Sequence, residues 1–210
     1  MRIVGSGGPV VVLLPGGAES AEGFAPALVE GLVADPGCRV VLWDRPRGGS
    51  LTRAPAAVHR MLADHDLGPA VLVGQSLGGA VAAMTACAHP GDVAGLVLLD
   101  PTPVNDTVAA IQIEGVANLM ALRGSRELRR IVRGLARAAV DFDESRLPKV
   151  PAIVVAADRD AGERMHRAHV RLADGLGALL LQWPGAEHGV HLSHPDQVLA
   201  AVRDVVRQRL

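Results

Sequence analysis

The strongest indication of catalytic chemistry is the segment Gly74–Gln75–Ser76–Leu77–Gly78, which has the pattern G-x-S-x-G. It follows an apolar run and precedes a helical pattern, so it is typical of a sharp turn between a strand and a helix. Such a turn strains the serine backbone and exposes its Oγ, and glycines avoid collisions with neighbouring backbone. The start of the following helix directs N–H groups towards a developing oxyanion. The pattern therefore predicts a nucleophilic Ser76, and the alternative is a glycine-rich turn with an incidental serine.

A serine nucleophile needs a base, and the base needs an acid that orients it. On a scaffold with this turn, the expected chain order is serine, acid, histidine. Asp158 and Asp160 both follow the fifth predicted strand, and His188 follows the sixth. These residues would meet at the carboxyl ends of parallel strands, where α/β sheets place their sites. On this reasoning either aspartate qualifies as the acid.

Six short apolar runs predict the strands that position these residues. The runs are continuous rather than alternating, which is typical of parallel strands covered on both faces. They are Val10–Leu14, Cys38–Trp43, Ala70–Val73, Val93–Leu99, Ala152–Ala156 and Ala178–Trp183. Helical patterns between them cover Ala21–Ala34, Ala54–Asp66, Leu77–His89, Gly162–Gly175 and His194–Leu210. The alternation predicts a single α/β domain over residues 1–210, with a mainly parallel twisted sheet flanked by helices.

The alternation is interrupted once, by a segment without a strand-like run. Residues 104–148 contain two helical patterns, Thr107–Arg123 and Ser125–Val140, joined at Gly124. We interpret this segment as an inserted two-helix cap. Arginines recur every three or four residues in its second pattern, at Arg126, Arg130, Arg133 and Arg137. They indicate a solvated face, or alternatively a basic rim that attracts an anionic substrate.

With these motifs in place, the chain resembles the α/β-hydrolase family over nearly its whole length. Family members commonly end the acid-bearing strand in a sequence such as GDRD, which Ala157–Asp158–Arg159–Asp160 resembles, so the resemblance implies Asp160 as the acid. Asp158 and Asp100 remain rivals, since some members carry the acid after the strand that ends before Asp100. The family histidine precedes a Leu and a Pro that opens the last helix. His188 matches that position, whereas the resemblance makes His191 and His194 surface or helix-start residues.

The resemblance also implies an oxyanion hole. Its donors would be the backbone N–H groups of Gly17, in the loop after the first strand, and of Leu77. This loop contains Pro15–Gly16–Gly17, in which Pro15 replaces the usual family histidine.

The activity that the resemblance implies is hydrolysis of a carboxylic ester by a Ser76–His188–Asp160 triad, with thioesters, lactones and amides as variants. Neither a cofactor nor a metal is required, and the remaining histidines lack metal-ligand spacing. Three other activities stay open, namely acyl transfer, cleavage of C–C bonds and cofactor-free peroxidase-like chemistry. A fourth alternative is that the protein binds a small molecule without catalysis.

Composition argues against several classes of partner. The net charge is −1, aromatic residues make up 2% of the chain and Tyr is absent, so a nucleic-acid surface is not expected. No apolar run reaches the roughly 18 residues of a membrane span, and no signal peptide is evident. We expect a cytoplasmic enzyme with a small-molecule substrate, whose oligomeric state the sequence leaves open. Cys38 and Cys87 form no disulfide framework and are expected to be small buried hydrophobes.

Overall fold

The computed structural model describes residues 1–17, 19–24, 26–46, 49–123, 126–158 and 162–209, and within these ranges seven strands form one sheet. The strands are β1 (Arg2–Val4), β2 (Val10–Leu14), β3 (Arg39–Leu42), β4 (Ala70–Gln75), β5 (Val93–Leu99), β6 (Ala152–Ala156) and β7 (Leu179–Gln182). Their spatial order is β1-β3-β2-β4-β5-β6-β7, and every neighbouring pair is parallel except β1 and β3. The predicted mainly parallel sheet is therefore confirmed.

Burial explains why the central strands are continuous apolar runs. Every residue of β2, β4 and β5 is buried, because helices cover both faces of the sheet. The edge strands β1 and β7 are largely exposed or half-buried. Strand β4 extends two residues beyond the predicted Ala70–Val73, so it leads directly to Ser76.

The helices are α1 (Pro26–Ala34), α2 (Ala54–Asp64), α3 (Leu77–Ala88), α4 (Thr107–Leu122), α5 (Glu127–Ile131), α6 (Leu135–Asp141), α7 (Glu163–Leu176), α8 (Val190–Ser193) and α9 (Pro195–Arg207). Apolar residues of α1 and α9 form the core on one face of the sheet, and those of α2, α3, α7 and the cap form the core on the other. The predicted helix Ala21–Ala34 is instead a 3₁₀ turn, Ala21–Gly23, followed by α1. Pro26 accounts for the new start, because proline suits the first turn of a helix and not its interior.

The segment that we interpret as a cap, residues 104–148, contains α4, α5, α6 and a short 3₁₀ turn at Glu144–Arg146. The prediction of one continuous second helix was wrong, because α5 and α6 are separated at Gly134. This glycine has a left-handed φ of 85°, and its N–H donates to the Glu114 carboxylate (3.0 Å), which also accepts from Ala136 N (2.9 Å). Glu114 of α4 thereby satisfies N–H groups at the start of α6. The predicted junction at Gly124 lies outside the described residues.

Both cysteines are buried, as predicted, and neither forms a disulfide. Burial raises the pKa of the Cys38 thiol to about 11 and that of Cys87 to about 12, so both side chains stay in the neutral thiol form. The four arginines of the cap stripe are exposed, which is expected both of a solvated face and of a basic rim. No described helix combines the length and apolar character that crossing a bilayer requires.

Candidate active site

Ser76 is the single residue between the end of β4 and the start of α3. Its backbone has φ 52° and ψ −117°, a left-handed φ that residues other than glycine rarely adopt. The neighbouring strand stabilises this conformation, since Ser76 N donates to the Leu99 carbonyl at 2.9 Å. The Ser76 carbonyl accepts from Gly79 N at 3.0 Å and from Thr102 N at 2.9 Å. The strained turn predicted from the sequence is therefore present.

The two glycines of the turn are needed for steric reasons. A Cβ added to Gly74 would lie 2.6 Å from Gly79 N, and one added to Gly78 would lie 2.6 Å from the Pro15 carbonyl oxygen. Both are closer than non-bonded atoms approach. Replacing either glycine would push α3 away from β4 or from the loop that follows β2, and would displace Ser76.

His188 follows β7 and forms hydrogen bonds through both ring nitrogens. Its Nε2 lies 3.0 Å from Ser76 Oγ, and its Nδ1 lies 2.6 Å from Asp100 Oδ2. An ionised carboxylate only accepts hydrogen bonds, so Nδ1 carries the proton. Nε2 is then free to accept the hydroxyl proton of Ser76, which is the orientation that a general base requires.

The acid beside His188 is Asp100, one of the two rivals that the sequence left open. Asp100 directly follows β5, is 3% exposed and has a left-handed φ of 43°. Its Oδ1 accepts from Ala157 N at 3.1 Å while Oδ2 faces the imidazole. Asp160, which the family resemblance favours, lies outside the described residues.

Asp158, the other rival, contacts the histidine loop rather than the imidazole. Its Oδ2 accepts from Gly185 N at 2.7 Å, and its backbone N donates to the Ala186 carbonyl at 2.7 Å. Buried Gln75 supports the same loop, since its Nε2 donates to the His188 carbonyl at 2.9 Å. Sequence reasoning missed both positioning contacts. The only signals in the sequence were that Gln75 directly precedes Ser76 and that Asp158 follows the end of β6.

The two residues expected to form the oxyanion hole lie beside Ser76. A Cβ on Gly17 would be 3.5 Å from Leu77 Cδ2, and one on Gly16 would be 3.6 Å from Ser76 Cβ, so the loop packs against the serine turn. Leu77 is the first residue of α3, and its N–H has no acceptor within the helix. Gly17 and Leu77 both line the cavity into which Ser76 opens.

This cavity has a volume of about 340 Å³, and Ser76 and His188 lie in its wall. Most of the remaining wall is aliphatic. The cap and the start of α7 supply side chains to it, namely Ile113, Leu128, Ile131, Val132 and Met165. The wall also contains the polar side chains of Glu19, Gln75, Asp100 and Thr102. Thr102 places its Oγ1 3.5 Å from Ser76 Oγ.

Two further histidines near the site differ in their surroundings. His194 immediately precedes α9, as expected of a helix-start residue. His191 was expected at the surface or at a helix start, but it is 2% exposed within α8, with its ring centroid 4.7 Å from that of Phe24. Burial lowers the pKa of His191, and Glu19, whose carboxylate lies 3.6 Å away, only partly opposes this effect. Val190 and His191 are the buried residues of α8, so this short helix presents His191 to the core.

Comparison with solved structures finds close matches of the whole chain at low sequence identity. The candidate non-heme bromoperoxidase BpoC of Mycobacterium tuberculosis H37Rv superposes with a TM-score of 0.75 at 18% identity, covering 100% of this chain and 95% of that one. The esterase RhEst1 from Rhodococcus sp. ECU1013 gives 0.67 at 21% identity, with 100% and 94% covered. The esterase EaEST from Exiguobacterium antarcticum gives 0.65 at 17% identity, with 98% and 94% covered. These similarities establish a shared fold.

Sequence comparison gives the family. No functionally curated protein matches the chain. The sequence profile of the alpha/beta hydrolase fold matches residues 9–160, well over half of the chain, in a range that begins before β2 and includes the serine turn. Together with the sheet order and the parallel strands, this match shows that the chain belongs to the α/β-hydrolase family.

Proposed function

We propose that this protein is a serine hydrolase that cleaves carboxylic esters of small, predominantly aliphatic molecules through an acyl-enzyme. One observation carries the proposal: hydrogen bonds link Ser76 Oγ to His188 Nε2 at 3.0 Å and His188 Nδ1 to Asp100 Oδ2 at 2.6 Å. A binding protein would have no need for this arrangement of hydroxyl, imidazole and buried carboxylate. The assignment replaces Asp160 with Asp100 as the acid of the triad.

In the first half of the reaction, His188 Nε2 removes the proton from Ser76 Oγ as the oxygen attacks the ester carbonyl. The new C–O bond moves the carbonyl electrons onto oxygen, and Asp100 stabilises the imidazolium that forms. When the tetrahedral intermediate collapses, the C–O bond to the alcohol breaks and His188 donates its proton to the departing oxygen. Water then attacks the acyl-enzyme by the same route, releasing the carboxylic acid and restoring the Ser76 hydroxyl.

The oxyanion of each tetrahedral intermediate would be bound by the N–H groups of Gly17 and Leu77. The exposed start of α3 adds the positive end of the helix dipole at the same point. A single donor of this type stabilises the transition state by about 3–4 kcal/mol. Pro15 does not weaken this role, because its own missing N–H is not one of the two donors.

The cavity indicates the substrate class. Its volume of about 340 Å³ is near the lower end of the roughly 300–1,000 Å³ typical of small-molecule sites. The aliphatic wall from the cap and α7 favours short alkyl groups over charged ones. We therefore expect the highest activity on esters with short, unbranched acyl or alcohol groups.

Labelling with a fluorophosphonate probe tests the proposal, because an activated serine displaces the fluoride of the probe and becomes phosphonylated. The wild-type chain should label at Ser76, as mapped by peptide mass spectrometry, and should hydrolyse short-chain p-nitrophenyl esters. Ser76→Ala should abolish both, and His188→Ala should slow both by several orders of magnitude. Ser145→Ala, which removes an exposed serine of the cap, is the matched control. A folded wild-type chain that neither labels nor hydrolyses esters would overturn the proposal.

A second candidate is peroxide-dependent chemistry at the same serine, which the structural similarity to the candidate bromoperoxidase brings into consideration. Ser76 Oγ would first take the acyl group of a carboxylic acid such as acetic acid, with loss of water. Hydrogen peroxide would then attack the acyl-enzyme in place of water, which releases a peracid and restores the Ser76 hydroxyl. The peracid would then oxidise bromide and be reduced to the carboxylic acid. Bromination of a phenol indicator, dependent on both acetate and hydrogen peroxide and lost in Ser76→Ala, would favour this activity over hydrolysis alone.

A further inference from the structure

Three potential metal ligands meet at the end of α3 that lies farthest from Ser76. His59 belongs to α2, His89 directly follows α3, and Asp92 lies just before β5. Among the described residues, their ligand atoms form a group in which all lie within 4.8 Å of one another. The 12 residues of α3 separate this group from Ser76 by about 18 Å of helix, so it is distinct from the active site.

The contacts within the group are well defined. His59 Nδ1 lies 2.7 Å from Asp92 Oδ2, and the rings of His59 and His89 stack with centroids 4.3 Å apart and planes inclined by only 4°. An imidazole binds a metal ion in the plane of its ring, so one of the two parallel rings would turn out of the stack for both to bind the same ion. All three side chains are half-buried, so an ion from solution can reach them while the surrounding chain restricts their motion.

From this geometry we propose that His59, His89 and Asp92 bind a Zn²⁺ ion. Two imidazoles and one carboxylate are typical zinc ligands, and a water molecule would complete a tetrahedral site. Ligand atoms around tetrahedral zinc lie about 3.4 Å apart. The 2.7 Å pair would open slightly, the longest separation, at most 4.8 Å, would shorten, and one imidazole would rotate about its side-chain bonds to leave the stack.

The position at the end of α3 supplies a second reason to expect a cation. The last carbonyl groups of a helix carry partial negative charge, which favours cations beside its C-terminus. His89 closes this end of α3, with its backbone N–H donating to the Thr85 carbonyl at 2.7 Å. Asp92 adds a full negative charge, so two imidazoles and a carboxylate are located where the backbone also attracts positive charge.

Bound zinc would connect α2 with the turn between α3 and β5. This role does not depend on the proposed esterase activity, because no residue of the group contacts the cavity at Ser76. Zinc that binds the folded chain preferentially raises its melting temperature. The expected effect is therefore a zinc-dependent gain in thermal stability without a change in ester hydrolysis.

Isothermal titration calorimetry of the chelator-treated protein with zinc chloride tests the site. The wild-type chain should bind one Zn²⁺, and His59→Ala, His89→Ala and Asp92→Asn should each weaken binding at least tenfold. His166→Ala, which removes an exposed histidine of α7, is the matched control and should bind like the wild type. Zinc should raise the melting temperature of the wild type and the control but not that of the three variants.

His89→Ala tests whether His89 is itself a zinc ligand. If zinc bound only to His59 and Asp92 while His89 merely stacked on His59, removing His89 would leave the zinc affinity unchanged. Circular dichroism without zinc will show whether each variant is folded. Absence of binding to the wild type, or equal binding by the wild type and all three variants, would overturn the proposal.

Discussion

Ser76 and Asp100 occupy matching positions, each directly after one of two adjacent parallel strands and each with a left-handed φ. Ser76 N donates to Leu99 O of the neighbouring strand, and Asp100 N donates to Val155 O of the next strand along. Strained backbone at non-glycine residues is concentrated at functional sites. The spacing between the proposed nucleophile and acid is therefore set by the sheet, and His188 reaches both from a loop.

The first prediction concerns which aspartate is the acid. Asp100→Asn should lower kcat about 10⁴-fold, because the amide no longer holds His188 in the tautomer that accepts the Ser76 proton. Asp160→Asn should keep kcat within a few-fold of the wild type. Steady-state hydrolysis of p-nitrophenyl acetate measures both. An inactive Asp160→Asn beside an active Asp100→Asn would show that the acid expected from the family resemblance is correct.

The second prediction concerns the loop that carries His188. Asp158→Ala removes the acceptor for Gly185 N, so His188 should lose its fixed position and kcat should fall about 10- to 100-fold, with KM little changed. Asp158→Asn retains an oxygen acceptor and should recover most of the activity. Equal losses in the two variants would mean that the charge of Asp158, rather than its contact with Gly185, is what matters.

The third prediction concerns the pocket. Ile131→Ala should shift the preferred ester towards longer acyl chains, because it removes aliphatic volume from the cavity wall. Each additional methylene that is buried contributes about 0.8 kcal/mol, or about fourfold in kcat/KM. The matched control is Ile111→Ala, an isoleucine of α4 that is 54% exposed. A chain-length profile that both variants leave unchanged would place the acyl group elsewhere.

The fourth prediction concerns pH. Burial lowers the pKa of His191 in the folded chain below its value of 6.5, so the unfolded chain binds the proton first as the pH falls. Stability contributed by neutral His191 is present above pH 6.5, decreases below it, and levels off once the pH is below the folded pKa. Urea unfolding from about pH 5 to about pH 8 should therefore show a smaller loss on acidification for His191→Gln than for the wild type. If the free energy of unfolding of the two proteins changed with pH in parallel, the prediction would be contradicted.

Much of this fold could be predicted from local patterns. The continuous apolar runs identified β2, β5 and β6 with their observed bounds, because strands buried on both faces carry a strong and uniform signal. The sharp turn at Ser76 could be predicted for a related reason. This turn requires glycines at fixed positions to avoid steric clashes, and these glycines are visible in the local sequence.

The aspartate that contacts His188 could not be predicted in the same way. Asp100, Asp158 and Asp160 all follow strands whose carboxyl ends meet at one edge, and a histidine on a loop can face more than one of them. The path of that loop depends on tertiary contacts, such as the hydrogen bond from Gln75 to the His188 carbonyl. Contacts of this kind leave no periodic pattern in the sequence. The break between α5 and α6 was missed for the same reason, since it depends on a contact between Gly134 and Glu114 of another helix.

The distribution of hydrophobicity across the sheet has a consequence for solubility. The fully buried strands β2, β4 and β5 are the central ones, and they would be prone to cross-β aggregation if exposed. The outermost strands are short: β1 has three residues and ends the sheet in an antiparallel pair, and β7 has four. A neighbouring molecule thus meets only a few unpaired backbone groups at either edge. Fraying of either end would leave the aggregation-prone strands covered.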